Sequence, residues 1–168
     1  MPKVHLMIGI QGSGKSTFSK RMFAEKGIKI VSTDVVRQLN PNWPEENIWP
    51  EVYRLTSEFI KKGEDVIFDA TNITPKVRER FLNNVLLHFE GFDKNNLPFE
   101  LVGYYFNVDP LICKQRVEKR NLDPNELYLP PEVVFSYNER MVPPTYEEPF
   151  SLIYYVENNE LIEKRKEN

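Results

Sequence analysis

Short apolar runs alternate along this chain with longer segments whose apolar residues recur at helical spacing. The short runs are typical of buried strands, and the longer segments are typical of amphipathic helices. Because strands and helices alternate, the pattern predicts an α/β fold: a parallel sheet of about five strands with helices on both faces. The predicted strands are residues 4–8, 28–32, 65–69, 101–107 and 152–156.

Helix signals fill the segments between these strands, and glycines or prolines mark several helix ends. The predicted helices are residues 16–26, 35–39, 52–63, 75–89, 110–120 and 132–141. Residues 40–50 are predicted to be a loop because they contain three prolines. Trp43 and Trp49 in this loop either anchor it to the core or stack on a ring of a ligand. Residues 157–168 are polar and are expected to fray.

The segment from Gly9 to Thr17 carries the most specific chemistry in the sequence. It reads Gly-Ile-Gln-Gly-Ser-Gly-Lys-Ser-Thr and lies between a predicted strand and a predicted helix, which favours a phosphate-binding loop over an ordinary Gly-Ser turn. Its glycines let the backbone direct N–H groups toward phosphate oxygens at the positive end of the helix. Lys15 is expected to reach the β- and γ-phosphates, and the Ser16 hydroxyl is expected to ligate Mg²⁺. The predicted nucleotide-binding residues are Gly12, Ser13, Gly14, Lys15, Ser16 and Thr17.

Composition narrows the class of protein. With 40% apolar and 28% charged residues, the chain is expected to form one domain over residues 1–168, with a small helical lid over about 114–145. Proteins that coat nucleic acid are strongly basic, so the formal net charge of −3 predicts that any nucleic-acid contact is local.

Cys113 is the one cysteine, which excludes an internal disulfide and suits a reducing cytoplasm. No apolar run reaches membrane-spanning length, so we expect a cytoplasmic protein without membrane association.

Two carboxylates are expected at the same edge of the sheet as Lys15, because the carboxyl ends of parallel strands meet where ligands bind. Asp34 directly follows the second predicted strand. It can accept the proton of an attacking hydroxyl, cap the helix that begins at Val35, or do both, and its position alone favours the cap. Asp69 ends the third predicted strand, as the acidic residue of a Walker B strand does, and is predicted to hold Mg²⁺ together with Ser16.

Five further polar residues near this edge each allow two interpretations. Thr71 and Asn72 are either site residues or parts of a turn. Arg37 either clamps a phosphate or carboxylate of an acceptor or is a solvated surface residue. Arg116 and Arg120 share one helical face before a proline-bearing segment. They either neutralise charge on a transferring phosphoryl group or form a solvated basic face.

Four segments together resemble the 5′-hydroxyl polynucleotide kinase family of P-loop phosphotransferases, which includes phage-type and bacterial end-healing kinases. The segments are Gly9-x-x-Gly-Ser-Gly-Lys-Ser-Thr, Ser32-Thr-Asp34-x-x-Arg37, Val66-Ile-Phe-Asp69-Ala-Thr71-Asn72 and Cys113-x-x-Arg116-x-x-x-Arg120. Many nucleotide-binding proteins share the first segment, whereas the second and third together are considerably more specific. The resemblance covers residues 4–156.

The resemblance implies a reaction and a role for each matching residue. It implies ATP as the phosphate donor, Mg²⁺ as the metal, and the 5′-OH end of RNA or DNA as the acceptor. Asp34 is the implied general base on the 5′-hydroxyl, and Arg37 is implied to hold the acceptor's 3′-phosphate. Arg78 is a further acceptor-side candidate, because related proteins often carry an arginine at its position. The implied catalytic residues are Lys15, Asp34, Arg116 and Arg120, with Thr71 and Asn72 among the substrate-binding residues.

Two other functions share parts of this pattern. A small-molecule kinase acting on gluconate, shikimate or adenylylsulfate would share the loop, the base and the lid, and the acidic net charge favours it. A nucleotide-binding regulatory module without a kinase acceptor would share the loop alone. Some members of the resembled family carry a phosphatase or ligase module, and this chain has no Asp-x-Asp-x-Thr phosphatase signature. Any phosphatase or sealing activity is therefore expected from a separate partner.

Overall fold

The computed structural model of the chain describes residues 1–166 and shows a six-stranded sheet with helices packed on both faces. The strands are β1 (Lys3–Ile8), β2 (Lys29–Ser32), β3 (Val66–Asp69), β4 (Glu100–Phe106), β5 (Leu152–Glu157) and β6 (Glu160–Lys164). The helices are α1 (Lys15–Lys26), α2 (Thr33–Leu39), α3 (Glu45–Lys61), α4 (Pro75–Leu86), α5 (Pro110–Arg120) and α6 (Val133–Arg140). Over the described residues, no helix combines the length and the apolar character needed to cross a bilayer.

The strand order is β2-β3-β1-β4-β5-β6, and the strands from β1 to β5 are parallel. This arrangement confirms the predicted α/β fold with a mostly parallel sheet. β3 lies between β1 and β2, and Ser32 is paired with Asp69 where β2 and β3 end. The segments that follow β1, β2 and β3 therefore meet at one edge of the sheet, where parallel α/β proteins bind ligands.

Side chains of β1 alternate between the two faces of the sheet. Leu6 belongs to an apolar cluster with Val52 of α3 and Phe81 of α4, and Met7 belongs to a second cluster with Phe18 of α1. Both β1 residues are fully buried. Because helices cover both faces, the strand is a near-continuous apolar run, and it fixes the loop that follows it between two packed layers.

The predicted loop over residues 40–50 is wrong over its second half, because α3 begins at Glu45 and continues through Pro50. Pro44 has an extended conformation (φ −66°, ψ 152°) and is the N-cap residue, so this proline starts the helix. Pro50 removes one helical N–H donor. Ile48 and Val52 on either side of it are at most 1% exposed, and their burial holds the helical turn in place.

The two tryptophans of this region have different environments. The Trp49 ring centroid lies 5.9 Å from that of Tyr53 and 6.1 Å from that of Phe68, so Trp49 anchors α3 on the sheet. This packing confirms the anchoring interpretation for Trp49. Trp43 is 42% exposed and lies before the helix.

The predicted fraying of residues 157–168 is wrong over β6, which pairs antiparallel with β5. Asn158 and Asn159 both have positive φ angles, 49° and 65°, and they connect the two strands. Positive φ at both positions of a two-residue connection is the type I′ hairpin geometry, and asparagine tolerates it better than most residues. Residues 167–168 lie outside the described part of the chain.

A buried histidine lies on β1, on the same face as Met7. His5 Nδ1 is 2.8 Å from the Tyr104 hydroxyl oxygen, and His5 Nε2 is 3.5 Å from an Asp65 carboxylate oxygen. Burial lowers the pKa of His5 below its ordinary value of 6.5, although the Asp65 carboxylate opposes this shift. The folded chain therefore holds this imidazole neutral at neutral pH.

We expect protonation of His5 to destabilise the fold. The unfolded chain binds this proton at a higher pH than the folded chain, so stability is lost as the pH falls below about 6.5 and through the folded-state pKa. Between about pH 7.5 and about pH 5, the free energy of unfolding in urea should fall less in His5→Gln than in the wild type. His88→Gln, which changes an exposed histidine, should behave as the wild type does. Equal pH dependence in all three proteins would contradict the assignment.

Candidate active site

The loop between β1 and α1 adopts a conformation that depends on glycine. The Gly9 N–H donates to the Thr71 carbonyl at 3.0 Å, which ties the loop to the segment after β3. Gly12 and Gly14 have φ angles of +77° and +100°, in a region that other L-residues rarely adopt. A β-carbon on Gly12 would also lie 2.4 Å from the Cys113 carbonyl oxygen of α5. The glycine positions thus let α5 pack directly against the loop.

Lys15 begins α1 with its side chain folded back under the loop. It is 8% exposed, and its Nζ donates to the Ile10 carbonyl at 2.8 Å. Burial lowers the pKa of Lys15, and the Asp69 carboxylate opposes this shift. The bond to Ile10 uses one of the three ammonium donors, so an anion in the loop can accept from the others. The arrangement fits a phosphate chain lying along the loop.

Ser16 and Asp69 form a pair of oxygen donors beside Lys15. The Ser16 hydroxyl donates to Asp69 Oδ2 at 2.9 Å. Burial raises the pKa of Asp69, and the positive charge of Lys15 and the bond from Ser16 oppose the shift. A hydroxyl next to a carboxylate at a phosphate-binding loop suits Mg²⁺, which prefers oxygen ligands and keeps several waters. The predicted metal pair is therefore brought together by the fold.

Two arginines of α5 lie beside the loop. Arg116 Nη1 donates to the Gly12 carbonyl at 3.1 Å, and the charge of Arg120 acts on Lys15 and lowers its pKa. Arg120 Nε and Ser13 Oγ are buried, and neither has a hydrogen-bond partner within residues 1–166. Buried polar groups are normally paired, so these two atoms fit an anionic ligand at the loop. The predicted lid arginines are thus positioned next to the predicted phosphate site.

Asp34 lies in the first turn of α2, at the edge where β2 ends. The N-cap of α2 is Ser32, whose hydroxyl oxygen accepts the Val35 N–H at 3.2 Å, so the interpretation of Asp34 as the cap is wrong. The Asp34 side chain is 58% exposed and accepts a hydrogen bond from Arg37 Nη1 at 2.9 Å. Its carboxylate is therefore free of any capping role and accessible to a substrate.

Arg37 has a second carboxylate partner that the sequence did not reveal. Its Nε lies 3.1 Å from Glu45 Oε2, and its Nη2 also donates to Glu45, so the pair is bidentate. Glu45 is the first residue of α3, and the turn between α2 and α3 brings it next to Arg37. No sequence motif marks Glu45, because its position depends on how two helices pack.

Thr71 and Asn72 follow β3 and brace the loop. Asn72 is 1% exposed and has a φ angle of +47°, and its side-chain amide donates to the Met7 carbonyl at 2.8 Å. This geometry does not support the predicted contact between Asn72 and an acceptor. Thr71 is half-buried and holds Gly9 through its carbonyl, so its predicted contact with the acceptor stays a prediction.

Arg78 of α4 has a structural position rather than the predicted acceptor-side one. It is 2% exposed, its Nε donates to Glu148 Oε1 at 2.6 Å, and its Nη2 donates to Glu148 Oε2 at 3.1 Å. Its Nη1 donates to the Asn72 carbonyl at 2.7 Å. Glu148 also accepts from the Thr145 N–H at 3.0 Å. Arg78 therefore ties the segment before β5 to the segment after β3, and its guanidinium is engaged within the protein.

We expect Arg78→Met to lower the free energy of unfolding by about 3 kcal/mol, because it removes the buried member of the ion pair and leaves the half-buried Glu148 carboxylate without its cation. Arg54→Met removes an arginine that bonds two carboxylates on the exposed side of α3, and should cost about 1 kcal/mol or less. Urea denaturation measures both. The double variant Arg78→Met, Glu148→Leu should recover part of the loss. Equal losses at Arg78 and Arg54 would contradict the structural role.

The family of the chain is shown by a match that covers the region holding this site. A family model described as an AAA domain, AAA_33, matches residues 4–144. The chain belongs to this family. The matched region of this AAA-domain protein is P-loop kinase-like and contains the loop, Asp34, Asp69 and both α5 arginines. No curated protein matches the chain significantly.

Solved structures, two of them named as kinases, share the fold of this AAA-domain protein. A fungal RNA kinase gives a TM-score of 0.66 at 15% identity, covering 95% of this chain and 78% of that chain. A chain of the Pnkp1/Rnl/Hen1 RNA repair complex gives 0.63 at 23% identity, covering 83% of this chain but 43% of that chain. A gluconokinase from Sinorhizobium meliloti 1021 gives 0.55 at 16% identity, covering 92% and 83%. The fold is thus common to kinases named for RNA and for a small sugar acid.

Proposed function

We propose that this protein is an ATP- and Mg²⁺-dependent kinase that transfers the γ-phosphate of ATP to the 5′-hydroxyl end of RNA or DNA. The observation that carries the proposal is the Asp34–Arg37 pair, which lies at the sheet edge that also holds Lys15 and Asp69. Burial lowers the pKa of Lys15 and raises that of Asp69; the negative charge of Asp34 opposes the first shift and adds to the second, so Asp34 lies close enough to act on both groups. A candidate base and an acceptor-binding arginine thus lie on the same edge as the donor site.

The donor half of the site would be held by the loop and α5. Backbone N–H groups of residues 12–17 and the Lys15 ammonium would bind the phosphates, and Ser16 and Asp69 would hold Mg²⁺. Mg²⁺ held by these two residues would neutralise negative charge that develops during phosphoryl transfer. Arg116 and Arg120 would add positive charge from the lid side. Because the loop is fixed by β1 and by Thr71, these donors are oriented before the nucleotide binds.

The acceptor half would be formed by α2. Asp34 would accept the proton of the attacking 5′-hydroxyl as its oxygen forms a bond to the γ-phosphorus and the bond from that phosphorus to the β,γ-bridging oxygen breaks. ADP leaves with the electron pair of the broken bond. Arg37 would bind the phosphate on the 3′ side of the acceptor nucleotide through its planar fork of N–H donors. The exposed position of Asp34 suits an acceptor that is the end of a long polymer.

A small-molecule kinase is the second candidate, and the net charge of −3 favours it. Such an enzyme would use the same donor half with a different acceptor. The Asp34-x-x-Arg37 and Asp69-Ala-Thr71-Asn72 patterns favour the polynucleotide acceptor.

A separate phosphatase or ligase would act before or after this enzyme in end repair.

An acceptor panel tests the proposal. The purified chain is incubated with Mg²⁺ and γ-labelled ATP and is offered 5′-OH RNA, 5′-OH DNA, nucleosides, gluconate, shikimate and adenylylsulfate in separate reactions. The proposal predicts label on an oligonucleotide at a rate far above that on any small molecule. Label on one small molecule alone would show that the proposed acceptor is wrong, and it would leave the assignment of the donor site unchanged.

We expect Arg37→Ala to raise the KM for a 5′-OH oligonucleotide about tenfold, because it removes a charge-assisted hydrogen bond to the acceptor phosphate. The KM for ATP should not change. Arg54→Ala removes an exposed arginine of α3 and serves as the control. If the KM for ATP rises instead, Arg37 belongs to the donor half.

A further inference from the structure

Two carboxylates contact the guanidinium of Arg37. They outnumber the single positive charge that could attract an acceptor phosphate. Arg37 contacts Asp34 on its own helix and Glu45 at the start of α3. The bidentate bond with Arg37 lowers the pKa of Glu45, so this carboxylate is charged at neutral pH. One guanidinium between two carboxylates gives the cluster a net negative formal charge, although its arginine is the residue proposed to bind a phosphate.

The fold places the backbone of Glu45 next to Arg37, and the Glu45 side chain, 61% exposed, reaches the guanidinium from there. Asn40 closes α2 through a bond from its side-chain amide to the Val36 carbonyl at 3.0 Å, and the Trp43 N–H donates to the Asn40 carbonyl at 3.0 Å. This short turn leads directly to Pro44 and the first residue of α3. A negative charge in the first turn of a helix is stabilised by the helix dipole. Glu45 therefore has two reasons to remain charged beside Arg37.

We propose that Glu45 makes the acceptor site discriminate by charge, so that it accepts the phosphodiester of a polynucleotide end in preference to the phosphomonoester of a nucleoside 3′-monophosphate. This inference rests on the proposed function and specifies its substrate. Any phosphate that binds Arg37 must displace the Glu45 carboxylate or lie next to it. A phosphodiester carries one negative charge, whereas a phosphomonoester carries about −1.5 to −2 near pH 7. Because Coulomb energy scales with the charge of the ligand, the Glu45 carboxylate repels the monoester about 1.5 to 2 times as strongly as the diester.

The test uses two acceptors that differ in this phosphate. Adenylyl-3′,5′-adenosine has a free 5′-hydroxyl and one phosphodiester, and adenosine 3′-monophosphate has a free 5′-hydroxyl and a monoester. Removing the Glu45 charge in Glu45→Gln should lower the KM about threefold for the first and about tenfold for the second, with kcat and the KM for ATP unchanged. Glu45→Asp keeps the charge and should keep the discrimination. Glu51→Gln removes another arginine-bonded carboxylate of α3 and should change neither KM.

A binding measurement separates this inference from the proposed function. Calorimetric titration of both acceptors into the protein saturated with ADP and Mg²⁺ reports affinity without turnover. If Glu45→Gln increases the affinity for adenosine 3′-monophosphate by a larger factor than the affinity for adenylyl-3′,5′-adenosine, the charge discrimination by Glu45 is supported. This conclusion holds even if the wild type phosphorylates neither acceptor, a result that would overturn only the proposed function. An equal gain in affinity for both acceptors, or the same change in Glu51→Gln, would overturn the charge discrimination by Glu45.

Discussion

Lys15→Ala is expected to abolish phosphoryl transfer and to weaken nucleotide binding. Lys15 is buried beneath the loop with its ammonium directed at the loop backbone, so its loss removes positive charge from both the bound and the transferring phosphates. We expect kcat to fall about a thousandfold or more, and ATP affinity to fall about tenfold or more. Rapid-quench kinetics and calorimetric titration with ATP and Mg²⁺ measure the two effects separately.

Lys26→Ala is the matched control, because Lys26 is an exposed lysine in the last turn of the same helix. It should leave both quantities close to the wild type. Urea denaturation of each variant checks that the fold is retained. Full ATP affinity in Lys15→Ala would contradict the placement of the phosphates in this loop.

Asp34→Asn is expected to lower kcat about a hundredfold to ten-thousandfold while ATP affinity stays unchanged. The amide keeps the size of the side chain and can still accept a hydrogen bond from Arg37, but it cannot take the proton of the attacking hydroxyl. Ser32 caps α2, so the variant should keep the helix and its stability. The same kinetic and calorimetric measurements apply.

Glu46→Gln is the control for this variant, because Glu46 is an exposed carboxylate in the first turn of α3. It should transfer phosphate at the wild-type rate. Equal loss of ATP affinity and of kcat in Asp34→Asn would move Asp34 to the donor half. Undiminished function in that variant would favour the regulatory-module alternative.

The strand pattern and the loop could be predicted from the sequence because both depend on local chemistry. The buried strands are apolar runs since helices cover both faces, and the loop needs glycine where φ is positive, as at Gly12 and Gly14. Asp34 and Asp69 could be placed at the same edge of the sheet as Lys15, because the carboxyl ends of parallel strands meet there. Their roles in catalysis stay predictions.

The remaining features depend on packing between distant segments. Ser32 and Asp34 are both good capping residues, and only the observed start of α2 at Thr33 decides between them. The partners of Arg37 and Arg78 could not be predicted, since Glu45 and Glu148 lie in segments whose positions are set by tertiary contacts. Proline removes a helical N–H donor, so the sequence predicts a loop at Pro50; the burial of Ile48 and Val52, which keeps the helix continuous there, depends on tertiary packing.

Transfer to the 5′-hydroxyl is tested with two RNA oligonucleotides of the same sequence, one ending in a 5′-hydroxyl and the other in a 5′-phosphate. Each is incubated with γ-labelled ATP, Mg²⁺ and either the wild type or Asp34→Asn, and the label is located by digestion to mononucleotides. We expect label at the 5′ position of the hydroxyl-ended RNA with the wild type, and almost none in the other three reactions. The absence of label from the hydroxyl-ended RNA and from a hydroxyl-ended DNA of the same sequence with the wild type, or equal label with Asp34→Asn, would contradict the proposed function.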